Sequence, residues 1–78
     1  MRPTLVGVEF ARHARRRMRL YGIKPAQVEA VVAGPEHSDI DADSGRRRLW
    51  ARVEGRTIRV VLAADDPNVV VTAFPEGE

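Results

Sequence analysis

The sequence predicts an α+β fold in which two N-terminal helices pack on one face of a C-terminal antiparallel sheet of three or four strands. Two observations carry this prediction. Apolar residues recur at helical spacing over residues 10–33, whereas they alternate with polar residues over 47–74. The chain has 78 residues, which leaves room for one hydrophobic core, so we expect a single domain over 1–78.

The N-terminal third begins with a short apolar segment, Val6 and Val8 around Gly7, which predicts a brief strand. A helix follows and ends at Gly22, since glycine readily takes the positive φ of a helix C-terminus. The apolar face of this helix recurs at i, i+4, i+8 and i+11, as Phe10, Ala14, Met18 and Tyr21.

A second helix is predicted to begin at Lys24-Pro25, because proline suits the first helical position. Its apolar stripe consists of Val28, Val31 and Val32. The helix stops at Gly34-Pro35. Residues 36–45 are acidic and rich in turn-forming residues, which predicts a loop or a short edge strand.

The last third predicts strands over 47–53, 56–63 and 69–74, with Glu54-Gly55 as a two-residue hairpin turn and 64–68 as a second turn. This turn makes one face apolar and directs it to the helices: Leu49, Ala51, Val53, Ile58, Val60 and Leu62. Strict alternation adds Val70, Thr72 and Phe74 to that face. The opposite face, which is the outer face of the sheet, then carries Arg48, Trp50, Arg52, Thr57, Arg59 and Val61, with Val71 beside Trp50.

Charge is unevenly distributed along the chain. The 13 basic and 11 acidic residues give a net charge of +2, and 12 of the basic residues are arginine. Residues 1–24 carry +6, 25–45 carry −5, 46–59 carry +5 and 60–78 carry −4. Two strongly basic segments therefore alternate with acidic ones, a pattern that favours an anionic partner.

Several classes of protein are not expected. The chain has no cysteine, which excludes a disulfide scaffold, a thiolate zinc site and a cysteine nucleophile. It lacks a membrane-spanning apolar run and a signal-peptide core, so we expect a cytoplasmic protein. Glycine-rich nucleotide motifs are missing, and the acidic segment 39–45 lacks the rest of a calcium-binding loop. We expect neither a metal nor a cofactor.

Two groups of residues are candidates for chemistry. His13 and Arg17 lie one helical turn apart, so the histidine is a candidate general acid or base and the arginine a candidate phosphate ligand. The alternative is a capping histidine, or one at the edge of the core. The other candidates for deprotonating a 2′-hydroxyl are His37, Tyr21 or a carboxylate. The second group lies on the outer sheet face and combines phosphate-binding arginines with an aromatic platform for an unpaired base: Arg48, Trp50, Arg52 and Arg59. A Trp covered by another element or by a partner protein is the alternative there.

Motifs in a fixed order resemble a small bacterial family of domains of unknown function. They begin with His13-Ala14, Arg17-Met18 and Gly22-Ile23, and continue with Gln27-Val28-Glu29, Gly34-Pro35, Gly45-Arg46-Arg47 and Val70-Val71-Thr72 up to Pro75. The resemblance covers about residues 10–75. This family is similar to the BrnT and RelE toxins of type II toxin–antitoxin pairs. That similarity implies a compact α+β fold and a ribonuclease toxin neutralised by a partner antitoxin. One departure is Lys24, which stands where the family has a capping Ser or Thr.

We therefore expect a toxin-like RNA-binding protein that acts as a metal-independent endoribonuclease on mRNA. The alternative is a non-catalytic module that binds an acidic protein partner through Trp50 and the outer-face arginines. Self-association of the acidic segment 36–43 with the basic sheet face is a third reading. The RNA hypothesis depends most on whether the basic helix and the basic sheet face converge into one groove.

Overall fold

The computed structural model describes residues 8–76, which form two helices and one five-stranded sheet. In chain order the elements are β1 (Glu9–Phe10), α1 (Arg12–Tyr21), α2 (Pro25–Ala33), β2 (His37–Ile40), β3 (Arg47–Val53), β4 (Arg56–Leu62) and β5 (Val69–Pro75). The strands lie in the order β1-β5-β4-β3-β2. The predicted α+β class and the layer of two helices are confirmed.

The sheet differs from the prediction in strand number and direction. It has five strands instead of three or four, and it is mixed because β1 pairs parallel with β5. Two residue pairs join these strands, Glu9 with Val69 and Phe10 with Val70. The brief strand predicted near Val8 therefore lies at Glu9–Phe10, and residues 6 and 7 lie outside the described part of the chain.

The first helix begins two residues later than predicted, because Phe10 belongs to β1. It ends as expected at Gly22, whose φ is +68°. The Ile23 N–H donates to Met18 O at 2.8 Å, which gives the helix a Schellman-type end. Arg56 also caps this end of the helix, since its Nη2 donates to the Tyr21 carbonyl at 2.7 Å.

The second helix begins without an acceptor side chain at Lys24, as the sequence departure predicts. Gln27 compensates in part, because its Oε1 accepts from the Lys24 N–H at 2.9 Å, which is half of a capping box. Its Nε2 donates to Glu54 Oε1 at 3.0 Å. Gln27 is 8% exposed, so this amide joins the start of α2 to the β3–β4 turn in a largely buried place.

The predicted hairpin register is confirmed. Val53 faces Arg56, and Leu49 faces Val60, on either side of the Glu54-Gly55 turn. One face of the sheet therefore packs against both helices in a single core. Its buried apolar members are Ala14, Met18, Ile23, Val28, Val31, Leu49, Ala51, Ile58, Val60, Leu62, Val70 and Ala73. We call the face turned away from the helices the outer face.

The predicted orientation of Thr72 and Phe74 towards the helices is wrong. Leu62 pairs with Val70 but Val61 pairs with Thr72, so Val71 is an extra residue in a β-bulge. The bulge shifts the alternation by one residue. Val70 stays on the helix side as predicted, but Ala73 rather than Thr72 or Phe74 continues the core.

The acidic segment contains a real edge strand. β2 pairs antiparallel with β3 and is exposed along its whole length. Asp41 then closes a turn, since its Oδ1 accepts from the Asp43 N–H at 2.9 Å. Among the two alternatives for residues 36–45, the short edge strand is confirmed for His37–Ile40, and a turn completes the segment.

Candidate nucleic-acid interface

A row of four planar side chains crosses the outer face. His37 is paired with Trp50, Trp50 with Arg59, and Arg59 with Phe74, on β2, β3, β4 and β5 in turn. Residues paired across strands on one face have side chains close enough to touch. The register of the hairpin and the bulge in β5 together create this row, because the bulge is what turns Phe74 outward.

Arg59 occupies the centre of the row. Its guanidinium carbon lies 4.6 Å from the centroid of the Trp50 ring and 5.5 Å from that of Phe74. Both distances are within the range of cation–π attraction. Arg59 Nη2 donates to Glu76 Oε2 at 3.2 Å. Its Nε lies 2.9 Å from Glu76 Oε1, an ionic contact whose geometry does not make a hydrogen bond. The arginine is therefore held in one place by two rings and a carboxylate.

Two groups that can transfer protons flank the indole. The His37 ring centroid lies 4.9 Å from that of Trp50, at an interplanar angle of 56°. On another part of the indole, Trp50 Nε1 donates to Glu76 Oε1 at 3.2 Å. Glu76 is placed there by the backbone, since its N–H donates to Thr57 O at 2.8 Å beyond the end of β5. An imidazole and a carboxylate thus share one small surface.

The outer face is less basic than the sequence suggests. Arg48 forms a bidentate salt bridge with Asp39, in which Nε donates to Oδ1 at 2.7 Å and Nη2 donates to Oδ2 at 2.9 Å. This hydrogen bond raises the pKa of Arg48 above its usual value. Arg59 is paired with Glu76. Within residues 8–76, Arg52 is the outer-face arginine that forms no ion pair.

The two basic surfaces do not converge, so the RNA hypothesis loses the support on which it most depended. His13 and Arg17 belong to α1, which packs on the helix side of the sheet through Ala14 and Met18. The candidates Arg48, Trp50, Arg52 and Arg59 lie on the outer face. The structure therefore brings together the four sheet candidates and separates them from the two helix candidates. His13 is exposed, and no carboxylate of residues 8–76 pairs with it.

Three residues of this cluster are not among the site residues predicted from the sequence: Phe74, Glu76 and His37, the last named only as an alternative base. His37 lies in the segment for which the sequence predicts either a loop or an edge strand. It faces Trp50 only because β2 forms and pairs with β3. Phe74 was placed on the wrong face by the unforeseen bulge. A signal was present for Glu76, because an acidic residue directly after the strand-ending Pro75 can lie beside the neighbouring strand.

In the part of the chain that the structure describes, no three His, Asp or Glu side chains are grouped as a metal site would require. Across residues 8–76, neither helix has the length and apolar character needed to cross a bilayer.

Comparison with known proteins identifies a family for this chain but no characterised relative. No curated protein and no solved structure matches the chain. A family model does match, described as a domain of unknown function, DUF4258, and it covers residues 10–75. This is the range over which the sequence motifs lie, and the predicted resemblance to an uncharacterised family is confirmed. None of the comparisons links the chain to BrnT or RelE toxins. The chain belongs to the DUF4258 family of domains of unknown function.

Proposed function

We propose that the protein is a toxin-like, metal-independent endoribonuclease that binds single-stranded RNA on the outer face of its sheet. One observation carries the proposal: His37, Arg59 and Glu76 are gathered around the side chain of Trp50. RNA cleavage without a metal needs a base, an acid and a cation near one phosphate, and these three residues supply those groups.

The proposed reaction is the internal transesterification of RNA. The Glu76 carboxylate accepts the proton of the 2′-hydroxyl while O2′ attacks the adjacent phosphorus. The bond from phosphorus to O5′ breaks, and the imidazolium of His37 donates a proton to O5′. The products are a 2′,3′-cyclic phosphate and a 5′-hydroxyl. An in-line displacement needs the base and the acid on opposite sides of the phosphate. His37 approaches the indole from β2, and Glu76 approaches it from the other side of β3, just beyond the end of β5.

The cationic residues have different roles in this proposal. Arg59 neutralises the charge that develops on the phosphate oxygens, since its Nη groups are fixed between two rings. Arg52 is exposed and contacts a neighbouring phosphate. A base stacks on the exposed ring of His37 at the sheet edge, because Arg59 and His37 already lie against the indole.

The proposal rests on the outer face alone, since the basic helix lies on the other side of the sheet. His13 and Arg17 therefore serve as controls instead of as site residues. A cytoplasmic location and a neutralising antitoxin belong to the proposed toxin role. The alternative is an acidic protein partner on the same face. It is less favoured because simple binding of an acidic protein does not need an imidazole and a carboxylate beside the same indole.

The first test uses the purified protein, a single-stranded oligoribonucleotide and excess EDTA. We expect cleavage that leaves a 2′,3′-cyclic phosphate, and no cleavage of the matching deoxyribonucleotide. His37→Ala and Glu76→Gln should each lower kcat/KM by about 100-fold or more, the usual contribution of a general acid or base. His13→Ala and Arg17→Ala are the matched controls and should keep the wild-type rate.

The proposal fails if the wild-type protein leaves the RNA intact in EDTA, or if His13→Ala slows cleavage as much as His37→Ala does. The toxin role has a separate test in a bacterial host. Induced expression of the wild-type chain should arrest growth, and the His37→Ala variant should relieve the arrest.

A further inference from the structure

We propose that a cleft beside α1 binds an acidic peptide segment of a partner protein. The cleft has a volume of about 380 Å³ and lies between β1, α1 and the start of α2. It is far from the RNA site proposed above, because α1 packs on the opposite face of the sheet. The two proposals are therefore independent.

The walls of the cleft are apolar and its rim is basic. Phe10, Met18, Ile23 and Pro25 supply the apolar walls. Arg15 and Arg19 line the same cleft from one flank of α1. A volume of this size is at the lower end of the range for binding pockets, and it accommodates one or two aliphatic side chains. Apolar walls offer nothing to a phosphate backbone, so this observation favours a peptide over RNA.

The charge of α1 extends the basic rim. Arg12, Arg15 and Arg19 follow at i, i+3 and i+7, which places them on one stripe about 10 Å long. All three are exposed, and α1 contains no acidic residue. Over residues 8–76, none of them forms an ion pair. The stripe therefore matches a peptide with carboxylates on successive turns and an aliphatic anchor between them.

The specific test measures binding of a fluorescein-labelled peptide that repeats Glu-Leu-Glu-Ala. We expect Arg15→Glu/Arg19→Glu to weaken binding at least tenfold, because each reversal removes an attraction and adds a repulsion. Arg46→Glu/Arg47→Glu is the matched control, since it makes the same change in net charge at two exposed residues where β3 begins. That control should stay within about threefold of the wild type. Circular dichroism checks that both variants fold.

A second measurement locates the peptide without any variant. The methyl NMR signals of Met18 and Ile23 should shift on peptide binding, and a peptide with Gln in place of every Glu should bind at least tenfold more weakly. The proposal is overturned if the Glu peptide does not bind, if these methyl signals do not move, or if the control variant loses as much affinity. It is also overturned if polyuridylic acid displaces the peptide and loses as much affinity as the peptide does in the Arg15→Glu/Arg19→Glu variant. The cleft would then belong to a nucleic-acid surface.

Discussion

At the scale of single residues, Arg59 shows how a neighbour changes what an arginine can do. Its side chain is 26% exposed and lies against two rings and one carboxylate. Cation–π contacts of this kind contribute about 0.5–1 kcal/mol each at exposed sites, and a surface ion pair adds about 0–1 kcal/mol. Together they fix the guanidinium, so that it meets a ligand without losing further side-chain entropy. Arg52 has no such contacts and stays free to move.

Asp41 provides a pH-dependent prediction at the same scale. The hydrogen bond from the Asp43 N–H lowers the pKa of Asp41 below its ordinary value, against a smaller effect of desolvation. The ionised carboxylate therefore stabilises the folded turn at every pH above the ordinary Asp pKa of about 3.9. This stabilisation disappears as the pH falls through the lowered pKa of Asp41 in the folded protein. An NMR titration of the Asp41 carboxyl carbon should give a midpoint below 3.9. A midpoint at or above that value contradicts the assignment.

At the scale of the elements, the β3–β4 turn and the bulge in β5 decide which side chains meet on the outer face. The turn has positive φ at both central residues, +53° at Glu54 and +86° at Gly55, as a type I′ turn requires. It sets the pairing of Trp50 with Arg59. The bulge at Val71 then turns Phe74 towards Arg59. A change in the turn or in the bulge would move these side chains out of contact with one another.

Gly55→Ala tests the turn. A Cβ at Gly55 would meet no atom within 4 Å, so the cost comes from the positive φ alone. We expect a loss of about 1 kcal/mol in the free energy of unfolding, measured by urea denaturation. Gly34→Ala is the matched control, because its φ is −147° and a Cβ there is equally unhindered. Its effect should stay within about 0.5 kcal/mol, and an equal loss in both variants would contradict the explanation.

At the scale of the whole molecule, the sheet separates two surfaces of different chemistry. The helix side carries an exposed arginine stripe beside an apolar cleft, whereas the outer face carries arginines that are mostly paired with carboxylates. A chain with a net charge of +2 can therefore present one strongly basic surface and one nearly balanced surface. Both surfaces depend on the single core that joins the helices to the sheet.

Ile58→Val tests that dependence. Ile58 is fully buried at the centre of the core, and removal of one methylene there leaves a small cavity. We expect the free energy of unfolding to fall by about 1 kcal/mol, which is a large fraction for a chain of this size. Ile40→Val removes the same group from a residue that is 58% exposed, so it should have almost no effect. The interpretation of one shared core fails if the two variants unfold alike.

Local patterns in the sequence determined both helices, their ends and the hairpin register. Gly22 and Pro25 act through their own backbone preferences, and the alternation from Leu49 to Leu62 allows only one face to be buried, so no distant contact was needed. The same patterns identified the arginines and Trp50 of the outer face, because the turn at Glu54-Gly55 fixes their side of the sheet.

Only the tertiary structure decided which candidates meet. The parallel β1 depends on pairing with β5, which lies far along the chain. The edge strand β2 and the bulge at Val71 depend on registers across turns longer than Glu54-Gly55, and the alternation of apolar residues does not specify those registers. For that reason His37 and Glu76 reach Trp50, while His13 and Arg17, which share the sheet residues' basic character, lie on the other side of the core.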